Sequence, residues 1–190
     1  MPPKPKFSKE EIVSTALEIV REKGIEAVTA RELGARLGSS ARPIFTVFNS
    51  MEDVLHEILN LAKCIYKGYV QQGLKEELVF RGVGSAYIRF AVEEPHLFQL
   101  LFMQEMKEVN NINNVLMYID ESYEEILKSV QEPYGLNLDD AKKLYQHLWV
   151  YTHGIATLCA TKVCMFSADE IQEMLTEVFK GLIMNIKLKA

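Results

Sequence analysis

Apolar residues recur along this chain at intervals of three and four, with few alternating runs, so the pattern predicts helices from one end to the other and an all-α fold. The first stripe is Ile12, Val13, Ala16, Leu17 and Val20. It follows Ser8-Lys9-Glu10-Glu11, a capping box in which the serine oxygen accepts from the third helical N–H while the glutamate reaches back. Lys23-Gly24 ends that helix. Thr29-Ala30-Arg31-Glu32 has the same box pattern, and Leu33 and Leu37 share a face before Gly38 breaks the run, so the second helix is short. Ser39-Ser40 then offers a cap for a third short helix over about residues 41–47. Pro43 falls in its first turn, where a missing N–H has no intrahelical partner.

A long helix is predicted from Ser50 to about Gln72 on the stripe Val54, Leu55, Ile58, Leu59, Ala62, Ile65 and Tyr69. Further helices are expected over 75–93, 95–107, 111–131, 138–164 and 168–188. Glu94-Pro95 starts one of them with proline at its first position, Pro133-Tyr134-Gly135 makes a turn, and Ser167-Ala168-Asp169-Glu170 is another capping box. The total is about nine helices in two regions: a three-helix module over residues 1–49, and a larger helical region over residues 50–190.

Two short helices joined by a glycine-containing turn and braced by an amphipathic helix are the parts of a helix-turn-helix. Gly34 sits mid-helix, where glycine is costly unless another segment must come close, and Gly38 can take the left-handed conformation of the turn. Ile44 and Phe48 then fall where they pack inward, leaving Ser40, Ala41, Arg42, Pro43 and Thr46 outward for a major groove. Charge agrees. The net charge is −5, yet residues 1–49 hold eight Lys and Arg against six Glu while the remainder holds thirteen against twenty acids, so the N-terminal part is the end that can face a polyanion. Lys4 and Lys6 form a basic arm for phosphates, and Arg42 is placed to read guanine with two hydrogen bonds. For Arg31 and Arg36, surface pairing with Glu32 and its neighbours competes with contact to DNA.

Thr29, Leu33, Gly34, Gly38, Ser40, Ile44, Phe45, Phe48, Ser50, Glu52 and Leu55 stand at the places where the tetracycline-repressor (TetR) family has its N-terminal signature. The stretch resembles that family, which implies a dimeric transcriptional regulator that holds double-stranded operator DNA and is released from it by a small-molecule effector. The resemblance implies DNA contact by Thr29, Ser40 and the groove-facing positions. The chain departs from the pattern at Phe45, where the family has a tyrosine often bonded to phosphate, at Val47 in place of histidine, at Met51 in place of lysine, and at Arg42-Pro43 in place of a Gly-Thr pair. These departures leave open a second reading, a helical small-molecule-binding or interaction protein with impaired operator recognition.

In the C-terminal region, Leu144, Leu148, Tyr151, Ile155 and Leu158 form one stripe, and Ile171, Leu175, Val178, Leu182 and Ile186 another. Such stripes serve an internal core or, beside a helix-turn-helix, a four-helix interface that presents two recognition elements to successive major grooves. In the resembled family the final two helices dimerise in this way. Trp149, His153 and Gly154 resemble the branch whose C-terminal domain carries a Trp and a His-Gly pair. Trp149 and His153, four apart, share a helical face, and with Tyr87, Phe90, Phe98, Phe102, Met103, Met106, Tyr118 and Tyr123 they are candidates to line a pocket for a largely apolar effector. The same residues serve a helical core equally well.

Other classes of chemistry are excluded residue by residue. Gly82-Val83-Gly84 lacks the third glycine and the preceding strand of a dinucleotide fingerprint. His56 and His96 are isolated, while His147 and His153 are six apart and do not share a helical face for zinc. Cys64, Cys159 and Cys164 are odd in number and set in apolar helical surroundings, unlike a disulfide framework. No apolar leader or run of about 18 apolar residues is present. The expectation is a non-enzymatic, cytoplasmic protein with no cofactor, no metal and no membrane partner.

Overall fold

Ser8 begins the first helix, α1 (Lys9–Lys23), as its spacing predicts. Its hydroxyl accepts from the Glu11 N–H at 3.1 Å, and its own N–H donates to the Glu11 carboxylate at 2.7 Å. The face so aligned buries Ile12, Val13, Ala16, Leu17, Ile19 and Val20, and Gly24 ends the helix at φ 83. These details come from a computed structural model that describes residues 5–105, 111–119 and 122–188. Among the described residues the regular structure is nine α-helices and two 3-10 turns.

The second helix, α2 (Ala30–Arg36), has only half of its predicted box. Thr29 accepts from the Glu32 N–H at 3.1 Å, but the Glu32 carboxylate is held by Lys23 at 2.9 Å, so it does not reach back to the cap. The predicted third helix over 41–47 is instead a single 3-10 turn, Ile44–Thr46. The cause is local. Proline drives the residue before it out of the α region, which disfavours helix at Arg42. Thr46 also spends its hydroxyl on the Pro43 carbonyl at 2.6 Å, a side-chain bond that competes with helical pairing.

The remaining helices are α3 (Met51–Gly73), α4 (Val79–Glu93), α5 (Pro95–Phe102), α6 (Ile112–Ile119), α7 (Tyr123–Tyr134), α8 (Leu138–Ala160) and α9 (Ala168–Lys187). The predicted helix over 111–131 is two, α6 and α7, and that over 75–93 starts four residues later. The total of nine thus survives through two changes that offset each other.

By packing, the chain forms two units, residues 1–66 with 94–104, and residues 67–93 with 105–190. In the first, α5 packs on α1. Arg21 Nε donates to Glu94 at 2.9 Å, and His96 Nδ1 donates to the Arg21 carbonyl at 2.8 Å, tying the start of α5 to the end of α1. Phe98, fully buried, lies 5.3 Å from Phe102, which meets the Tyr66 ring edge-on at 4.9 Å.

In the second unit α4 is packed by α7, α8 and α9. Its core is built from Leu116, Ile126, Leu127, Val130, Ala141 and Leu144 with partners from α9 such as Ile186. The link from α3 to α4 is tight. A Cβ on Gly82 would lie 2.3 Å from the Gly73 carbonyl oxygen, and one on Gly73 would lie 2.6 Å from the Gly82 oxygen, so both positions need glycine. Gly135 closes α7 in the left-handed region at φ 64, one residue beyond the helix that carries Pro133 in its last turn.

Candidate nucleic-acid interface

The turn after α2 explains why a glycine sits inside a two-turn helix. A Cβ on Gly34 would meet the Ser40 carbonyl carbon at 2.8 Å and the Ala41 nitrogen at 2.9 Å, so the segment entering the 3-10 turn crosses directly over α2. The Ser39 N–H donates to the Gly34 carbonyl at 2.8 Å, and Gly38 takes φ 64 to make the reversal. Ile44 and Phe48 then point inward and are buried, as is Leu33. Their burial turns the opposite edge outward: Ser40, Arg42, Phe45 and Thr46 are exposed, and Ala41 and Pro43 are half-buried.

Charges around this edge fall into two sets. Arg36 bonds both Glu22 and Glu32, and these contacts, led by the Glu22 hydrogen bond, raise its guanidinium above the ordinary range while lowering the Glu22 carboxyl. Lys23 likewise lowers Glu32. Arg31 and Arg42, by contrast, are exposed and form no hydrogen bond or ion pair among the described residues. Lys6 donates to the Ser39 hydroxyl at 3.1 Å and lies 5.1 Å from the Phe7 ring centre, which brings Lys6 beside the turn. Lys4 lies outside the described residues. Ser39 was missed by sequence reasoning, which treated it as part of a cap; nothing local to it signals a contact with Lys6, thirty-three residues away.

The sequence matches two family models. One, for bacterial regulatory proteins of the tetR family, matches residues 12–58. The other, for the tetracyclin repressor-like C-terminal domain, matches residues 80–180, more than half of the chain. The chain belongs to the tetR family. It is a DNA-binding transcriptional regulator, and the outward edge described above belongs to its helix-turn-helix.

Three solved structures share the tetR fold with this chain at low identity. A TetR-like transcriptional regulator from Rhodococcus sp. RHA1 is 12% identical with a TM-score of 0.64, the match covering 93% of this chain and 96% of that one. The fatty acid degradation regulator FadR from Bacillus halodurans is 19% identical with a TM-score of 0.59, covering 95% and 97%. The superantigen PfiT is 18% identical with a TM-score of 0.54, covering 93% and 96%. No curated protein matches the sequence.

In the C-terminal unit of this tetR-family chain, α8 carries Trp149 and His153 one turn apart with their rings stacked 4.8 Å between centres. Tyr87 on α4 bonds His153 Nδ1 at 2.9 Å and lies 6.4 Å from the Trp149 ring centre. Burial pushes the Tyr87 phenol well up and the His153 imidazole down, so Tyr87 stays protonated and can donate to a neutral ring. The other expected pocket residues are spread more widely. Phe90 is fully buried 5.2 Å from Tyr69, and Tyr123 packs 5.6 Å from Tyr145. Phe98, Phe102 and Met103 belong to the first unit. Met106 and the Tyr118 side chain lie outside the described residues.

Of the stripes expected at a dimer interface, Leu148, Ile155, Leu175 and Ile186 are buried within the protomer. Ile171, Val178 and Leu182 are half-buried, and Leu158 is exposed, as are Val150 and Gly154 on its side of α8 and Met184 on α9. Sequence periodicity finds the stripe but cannot divide it between a helix of the same chain and a helix of a second one. Among the described residues no group of three or more His, Cys, Asp or Glu is arranged to hold a metal ion, and no helix is long and apolar enough to cross a membrane.

Proposed function

We propose that this regulator is a cytoplasmic, homodimeric repressor, released from its operator when a largely apolar small molecule enters the C-terminal helices. Residues 1–49 bind DNA and residues 50–190 bind the effector and the second subunit. The observation that carries the DNA half of this reading is the edge Ser40–Thr46, turned outward by burial of Ile44 and Phe48, with Arg31 and Arg42 unpaired beside it. An unpaired exposed arginine can reach a base or phosphate without first breaking an ion pair. Thr29, with Lys4 and Lys6 from the arm, contacts the backbone, which fixes register without reading sequence.

The effector meets Tyr87, Trp149 and His153, where a neutral imidazole, a phenol and an indole combine apolar walls with a few polar tips. This trio also supports placement on the branch with a Trp and a His-Gly pair. The second subunit packs on the outer faces of α8 and α9, through Leu158, Ile171, Val178 and Leu182, and close approach is eased at Gly154, where a Cβ would meet open space. The coupling runs through α3, a helix that contributes residues to both units, and changes the separation of the two recognition elements from the half-site spacing of about 34–36 Å.

The test is a gel shift against the DNA flanking the gene, repeated across salt concentration. Tight binding with a steep loss as salt rises is expected, because neutralised phosphates release counterions. Salt-independent or absent binding would overturn the operator reading. Trp149, the sole tryptophan of the chain, supplies the effector assay: its fluorescence should change when an effector binds, in step with loss of the shifted band. Sedimentation decides the dimer.

A further inference from the structure

The outward edge of the helix-turn-helix is unusually apolar for a surface that meets a polyanion. Phe45 is 45% exposed, and no other large apolar side chain of the described residues before Tyr66 is exposed. Pro43 and Ala41 flank it, both half-buried. Thr46 is exposed, but its hydroxyl hydrogen is committed to the Pro43 carbonyl at 2.6 Å, so towards a partner it offers its methyl and an oxygen that can only accept. Against this apolar strip stand one charge, Arg42, and one free hydroxyl, Ser40.

A phenyl ring offers neither donor nor acceptor, so Phe45 cannot bond a phosphate, and leaving a ring of this size exposed has no benefit for folding. On the major-groove edge of a base pair the C5-methyl of thymine is the one methyl group, and it projects further than the bare C5–H of cytosine among donors and acceptors. From that chemistry we infer that Phe45, with Pro43 and the Thr46 methyl, reads thymine methyl groups, so that each half-site carries a fixed thymine close to the guanine bonded by Arg42. The inference rests on the operator-binding function proposed above and adds to it what the edge recognises.

The experiment selects binding sites from random duplex DNA with the full-length protein, then replaces the selected thymine by deoxyuridine, which removes the methyl and keeps every hydrogen-bonding group. Loss of one buried methyl contact should weaken binding about three- to fivefold per half-site. Phe45→Ala should bind the thymine site more weakly and no longer distinguish it from the deoxyuridine site. Should Phe45→Ala lose its helical circular dichroism, the wild-type comparison of the two duplexes still decides. Equal affinity for thymine and deoxyuridine sites, or selected half-sites without a fixed thymine, would overturn the methyl reading while steep salt dependence keeps operator binding intact. If no sequence is selected, both fall.

Discussion

The two ends of the chain handle their polar groups in opposite ways. Around the helix-turn-helix, charges lie at the surface and several are matched: Arg36 to Glu22 and Glu32, Lys23 to Glu32, Arg21 to Glu94, and Lys9 to Glu57 at 2.9 Å. In the C-terminal unit the polar groups of note are turned inward, with Tyr87 bonded to His153 beneath the Trp149 ring. The difference separates two kinds of availability. Arg31 and Arg42 are exposed and have no ion pair to break among the described residues, which is what a partner outside the protein would require of them. The imidazole of His153 is half-buried and already bonded to Tyr87, and burial lowers its pKa, which favours the neutral ring.

The sharpest way to break the comparison is to remove the close approaches that build each region. Gly34→Ala places a carbon within 3 Å of the backbone at Ser40 and should cost about 1–3 kcal/mol of stability, with loss of DNA binding. Gly82→Ala creates the same conflict with Gly73 and should cost at least as much, read as a lowered denaturant midpoint. If Gly34→Ala retained full operator affinity, the crossing of Ser40 over α2 would not be what sets the edge.

Next in size is Arg42→Ala, expected to weaken specific binding by about 1–3 kcal/mol while the melting temperature stays put. Arg36→Ala is its counterpart, a nearby arginine in sequence whose charge is already spent on Glu22 and Glu32, and it should alter operator affinity far less. Equal losses from the two would erase the distinction between paired and unpaired arginines.

A smaller effect is expected from pH. Burial lowers His153 below its ordinary value of 6.5, so as the pH drops below that value the unfolded chain takes up a proton that the folded chain refuses. Stability from this group is therefore complete above pH 6.5 and declines as the pH falls from there towards the folded value. Urea midpoints at about pH 7.5 and 5.5 should differ more for the wild type than for His153→Gln. An identical pH dependence in the variant would show that His153 is not held neutral by its surroundings.

The smallest change concerns Thr157, whose buried hydroxyl has no hydrogen-bond partner among the described residues. Thr157→Val keeps the shape and should be neutral or stabilising by up to about 1 kcal/mol in thermal unfolding. A clear loss would mean that the hydroxyl has a hydrogen-bond partner outside the described residues.

Much of the fold is legible in the sequence because its signals are local. Ser8 with Glu11 and Ser167 with Glu170 mark helix starts by chemistry that spans three residues, and each does so in the structure, whereas of the expected Pro133-Tyr134-Gly135 turn only Gly135 lies outside α7. Gly34 and Gly38 are equally readable, since each has a backbone reason to be glycine. The capping box at Thr29 fails for a reason outside the window: Lys23, nine residues from Glu32, claims the carboxylate. The third helix fails within the window, because Pro43 acts on Arg42 as well as on its own N–H.

What the order of residues settles alone, then, is the helical character of the chain, the tight turn between Gly34 and Ser40, and the outward run from Ser40 to Thr46, all consequences of side-chain period and of backbone freedom at glycine. Folding in three dimensions decides which charges remain uncommitted and which apolar stripes are consumed internally. Glu94 reaches Arg21 across seventy-three residues, and Tyr87 reaches His153 across sixty-six. A pairing between side chains so distant in sequence depends on how helices stack, and stacking is a property of surfaces that no stretch of sequence displays on its own.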